Sequence, residues 1–115
     1  MEVSGKLHSF YFDEFCNNLV ILFRELTFQE AQYSIAILNS DDKSLVAETL
    51  ISIANCAAFT INQNTFREAG LVAILPKLIL NPNRQIKLKA FLVVSNMALN
   101  EKNNNGIFHY YHDSF

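Results

Sequence analysis

Leu50-Ile51-Ser52-Ile53-Ala54-Asn55 returns 41 positions later as Phe91-Leu92-Val93-Val94-Ser95-Asn96, and this recurrence decides the fold. Working outward, Asn62-Gln63-Asn64-Thr65-Phe66 answers Asn103-Asn104-Asn105-Gly106-Ile107 at the same offset. Upstream, Ile37-Leu38-Asn39-Ser40 answers Ile79-Leu80-Asn81-Pro82 at an offset of 42, which places a one-residue deletion in the intervening stretch. A period of about 40 to 47 residues belongs to helical-repeat arrays. Each unit of such an array buries its apolar side only against a neighbour, so the chain is expected to form a stretch of all-α solenoid.

Composition agrees. In 115 residues, with 50% hydrophobic and ten Phe, there is room for one domain with a substantial core. A formal net charge of −2 with 17% charged residues provides no basic field for a nucleic-acid backbone. The longest apolar stretch, 71–80, is interrupted by Pro76 and Lys77 and is shorter than the roughly 20 residues that span a bilayer. Met1-Glu2-Val3-Ser4-Gly5-Lys6 has no apolar secretory core, which points to a cytoplasmic, reducing setting. Cys16 and Cys56 lie within apolar helical patterns without metal-ligand spacing and read as buried thiols.

The grammar within each unit is helical. Phe12, Phe15, Cys16, Leu19, Leu22, Phe23 and Leu26 recur at three- and four-residue steps and line one face of a helix. Thr27-Phe28-Gln29-Glu30 fits a capping box, so a second helix starts there and runs to about 38. Asn39-Ser40-Asp41-Asp42 is a turn whose last carboxylate suits the positive end of a third helix, 43 to about 59. Its apolar and small positions cover more than one face, so it should be packed between neighbours. In the next unit Asn62 is the expected cap of a short helix over 63–69, and Gly70 suits the left-handed residue that ends it. An apolar helix over 71–80 follows, with Pro76 expected to kink it, then a long helix over 84–100. The domain reading is a flexible segment at 1–11, helical repeats over 12–106 and an aromatic tail at 107–115, the array breaking off within a repeat.

Ala57-Ala58-Phe59-Thr60-Ile61-Asn62-Gln63-Asn64-Thr65-Phe66-Arg67-Glu68-Ala69-Gly70, an apolar helix, and then Ile86-Lys87-Leu88-Lys89-Ala90-Phe91 resemble an armadillo repeat. The likeness runs over about 28–107 and is similar to the subfamily of armadillo repeat-containing protein ten and its X-linked relatives. It implies a short armadillo-type solenoid of about two repeats with partial flanking repeats, acting as a non-catalytic adaptor for a protein partner. In that subfamily it further implies the mitochondrial outer membrane and a role in mitochondrial distribution, although the N-terminal anchor of those proteins has no counterpart here. The usual proline near the start of the second helix is displaced to Pro76.

The resemblance also implies site residues. In peptide-binding armadillo proteins an Asn on the third helix faces a concave groove and bonds the peptide backbone, which would assign that role to Asn55 and Asn96, with Phe59 and Asn100 beside them. A Trp four residues earlier stacks on lysine stems in nuclear-import receptors, whereas here those positions hold Ile51 and Leu92, which disfavours basic localisation signals. The alternative for both Asn is service to nearby main chain within the solenoid. A second functional reading is a structural or regulatory piece that stacks through an open repeat edge on another armadillo chain or on itself. That edge is the long helix bearing Phe91, Leu92, Val93, Val94, Met97 and Leu99, with the tail as a makeshift cap. His109, His112 and Asp113 fall short of the three or four ligands of a zinc site and read as tail residues. Glu25, Glu30, Glu48 and Arg67 read as solvated helix-surface charges. No nucleophile elbow, phosphate loop or metalloprotease motif is present, so no catalytic residue, metal or cofactor is expected.

Overall fold

The computed structural model describes residues 25–103, which form five helices joined by short turns and, at 101–103, a further helical turn. These are α1 (Phe28–Ile37), α2 (Lys43–Cys56), α3 (Thr60–Glu68), α4 (Leu71–Ile79) and α5 (Arg84–Met97). The expected first helix, Cys16, the aromatic tail and its histidines lie outside the described residues.

Local chemistry sets the helix starts. The hydroxyl of Thr27 accepts from the Glu30 amide at 3.1 Å while the Glu30 carboxylate accepts from the Thr27 amide at 3.0 Å, closing the expected capping box of α1. Asp42 and Asn83 cap the two long helices, accepting from Leu45 and Ile86 respectively. Pro76 has no N–H to give to the carbonyl four residues back, yet α4 continues through it to Ile79.

Gly70 separates α3 from α4 with φ +96°, in the left-handed region where a side chain is strained. A Cβ added there would meet nothing within 4 Å, so the backbone strain acts alone. Gly70→Ala is therefore expected to lower stability by about 1 kcal/mol, read as a shift of the urea midpoint with unchanged slope.

The two long helices end earlier than the apolar pattern suggests, α2 at Cys56 and α5 at Met97. The cause is a pair of amide staples. Asn62, expected as a cap, instead lies in the first turn of α3 and is buried; its Nδ2 donates to the Cys56 carbonyl at 3.1 Å and its Oδ1 accepts from the Leu26 amide at 2.7 Å. Beside it Gln63 Nε2 donates to the Ala57 carbonyl at 2.8 Å. The last carbonyls of α2 thus find partners without further helix, and the chain turns through Ala57 and Ala58. Forty-one residues on, Asn103 Nδ2 donates to the Met97 carbonyl at 3.0 Å and its Oδ1 accepts from the Arg67 guanidinium at 3.1 Å. The staple recurs with the repeat, and Arg67 is part of it rather than a solvated surface charge.

A single core runs through all five helices, with Ala31, Leu50, Ile53, Phe66, Leu71, Leu75, Val93 and Met97 among its members. The helix packed most extensively on α2 is α5. As expected, α2 is buried on more than one face: Val46, Ala47, Leu50 and Ala54 on one side, Thr49, Ser52 and Cys56 on another. Only one face of α5 is buried, that of Ile86, Ala90, Val93 and Met97.

Candidate functional site

The surface to consider is the pair of long helices, because the repeat makes each α2 position comparable with the α5 position 41 residues later. They are clamped together. Asn96 Nδ2 donates to the Ala54 carbonyl at 2.8 Å, and the Nε2 of Gln63 that holds Ala57 also donates to the Asn96 carbonyl, at 3.0 Å. Such side-chain bonds to main chain fix the rotation of α5 about its axis against α2.

One row of positions stays open in both units. Ile51 is 40% exposed and its counterpart Leu92 is 49% exposed. Four residues on, Asn55 is exposed and its side chain makes no hydrogen bond among the described residues. Its counterpart Asn96 is half-buried with Nδ2 committed to Ala54. The two Asn thus differ: Asn55 offers a donor and an acceptor, whereas Asn96 keeps its Oδ1. Phe59 follows the end of α2 in the same direction, 43% exposed, as the residue that opens α3. Asn100 lies buried after α5, its Nδ2 donating to Asn64 Oδ1 at 2.9 Å and its Oδ1 accepting from the Lys102 amide at 3.0 Å. Asn64 Oδ1 also accepts from Arg67 at 2.8 Å, so Asn100 belongs to the polar network that joins α3 to the end of α5.

Chemically, an exposed aliphatic residue with an amide four positions on offers apolar surface beside a hydrogen-bonding group. Elsewhere, a cleft of about 390 Å³ beside α1 is bordered by Gln29, Gln32, Tyr33 and Asn39, which brings together amides but no acid paired with a base. Cys56 is buried within the core. Among the described residues no three His, Cys, Asp or Glu converge on a metal position, and no helix is long and apolar enough to cross a membrane.

The sequence reading missed Asn62, Gln63 and Asn103 as inter-helix staples; the recurrence of Asn62 as Asn103 at 41 residues was visible, but the carbonyls these amides serve could be located only in three dimensions. It also grouped Val93 and Met97 with the open edge, whereas both turn into the core. No solved structure matches the chain. A family model described as armadillo-like matches residues 26–114. That match takes in every helix described above, and with the recurring long helices and their amide staples it establishes that the chain belongs to the armadillo-like family.

Proposed function

We propose that the chain is a non-catalytic interaction module that holds an extended peptide or a helix of a partner protein along the open row of α2 and α5. Armadillo-like domains serve in general as protein-interaction scaffolds, and membership supports that broad role. The observation that carries the finer reading is the double exposure of an aliphatic residue four positions before an Asn, Ile51 with Asn55 and Leu92 with Asn96. Burying either aliphatic would stabilise the fold, so their shared exposure favours a partner. Asn55 would take both a donor and an acceptor from the partner's main chain and Asn96 would supply its Oδ1. Phe59 would give an aromatic surface at one end, and Asn100 would keep the end of α5 in place. The mitochondrial role is the finest part of the proposal and rests on resemblance to the X-linked subfamily alone.

Peptides selected from a random library on the immobilised chain provide the test. Asn55→Ala removes two bonds worth about 0.5 to 1.5 kcal/mol each and should weaken the selected peptides about tenfold at unchanged stability. Asn96→Ala should weaken them too, but with a loss of stability from the Ala54 clamp. Peptides that bind Asn55→Ala and Ile51→Ser as well as the parent chain would place the binding surface elsewhere.

A further inference from the structure

The exposed apolar residues of α5 fall into two sets, which the internal repeat separates. Leu92 corresponds to Ile51 and belongs to the row left open in both units. Leu88 and Phe91 do not: they are 50% and 48% exposed, whereas their counterparts Ala47 and Leu50 are buried. Ser95, between them on the helix face, is exposed where its counterpart Ala54 is buried. In α2 this face lies covered, on the helix that carries α5; in α5 it is bare. The chain itself therefore indicates what suits the position, namely a second helix laid alongside.

Charge narrows the kind of helix. Lys87 is exposed where the covered face of α2 has the buried Val46, and Arg84, also exposed, precedes it by less than a turn. With Lys89, α5 carries three basic residues and no acidic one. Arg84 and Lys87 stand near the N-terminal end, where the helix dipole disfavours cations, so helix stability does not account for them. A neighbour with the wholly apolar face that α5 presents to the core, Ile86, Ala90, Val93 and Met97, would bury the Lys87 ammonium without a counter-charge. Another armadillo helix of this type, or a second copy of the chain offering one, is disfavoured on that ground.

We propose that the outer face of α5, Leu88 and Phe91 rimmed by Arg84 and Lys87, docks an amphipathic helix of a partner protein whose carboxylates lie toward those two cations. This is a helix-on-helix mode, distinct from the open row and independent of what that row binds.

Two synthetic helical peptides with the same leucine–alanine face, one flanked by glutamates and the other by lysines, test it by fluorescence anisotropy on the full chain. The glutamate peptide is expected to bind at least tenfold more tightly, and less tightly as salt rises. The double variant Arg84→Glu with Lys87→Glu should reverse the preference. Leu88→Ser with Phe91→Ser, at positions already exposed, should abolish binding of both peptides while helicity is retained. Equal affinity for the two peptides, or no binding of either, overturns the proposal. A molar mass by light scattering that doubles with concentration and halves in the Leu88→Ser, Phe91→Ser variant would assign the face to a second copy. A monomer that binds neither peptide and loses thermal stability in that variant would assign it to the chain's own residues beyond 103.

Discussion

Replacing Asn62 by alanine is expected to destabilise the chain by about 2 to 4 kcal/mol, a large effect for a residue that looks, in sequence, like an ordinary helix cap. The side chain is almost wholly buried and answers two main-chain groups from different segments, the amide of Leu26 before α1 and the carbonyl of Cys56 at the end of α2. Alanine leaves both unpaired in the interior, and each buried orphan costs about 1 to 3 kcal/mol unless water reaches it. Asn62→Asp separates the two halves: it keeps an acceptor for Leu26, loses the donor to Cys56, and places a carboxylate in a buried site, so it should be no milder than alanine. Thr60→Ala, exposed in the same helix, is the control and should change stability by less than about 0.5 kcal/mol. Urea unfolding followed by circular dichroism reads all three. A loss below about 1 kcal/mol for Asn62→Ala would mean that solvent enters the junction and that the staple does not hold the units together.

What the sequence could reveal followed the range over which each interaction acts. The capping box of Thr27 and Glu30, the Asp42 cap and the left-handed Gly70 are settled within three or four residues, and each is found where the sequence puts it. The repeat was legible because the 41-residue offset is a property of the string itself. Where α2 and α5 end was not legible, since Ala57, Ala58 and Ala98 are good helix formers and the signal to stop comes from amides six residues further on. Nor was the orientation of α5, which has apolar residues on more than one side: Val93 and Met97 point inward while Phe91 and Leu92 point outward, and only its rotation against α2 separates them. Asn100 illustrates the same limit at the site. Its partner Asn64 is 36 residues away, so an amide that reads as available is committed within the fold.

Phe66→Ala should have the largest effect of any single substitution considered, about 3 to 5 kcal/mol. Phe66 is completely buried and is the only large apolar residue that α3 contributes to the core, the other buried residues of that helix being Asn62 and Gln63. A nine-residue helix is too short to persist by itself, so α3 depends on this ring, on its two buried amides and on the Asn64 and Arg67 bonds toward the end of α5, between α1 on one side and α4 on the other. Removing the ring from a fully buried position leaves a cavity as well as losing its burial, and the surrounding core relaxes only in part. Against the 5 to 15 kcal/mol typical of a whole domain, such a loss removes a large share of the margin. Phe66→Leu, which keeps most of the volume, should cost no more than about half as much. Amide hydrogen exchange adds the local reading: in Phe66→Ala the protection of α3 should fall toward that of a frayed segment before α2 and α5 lose theirs. If α3, α2 and α5 instead lose protection together, the ring secures the array as one cooperative unit. A loss below about 1 kcal/mol would mean that α3 is anchored by its amides and not by its aromatic residue.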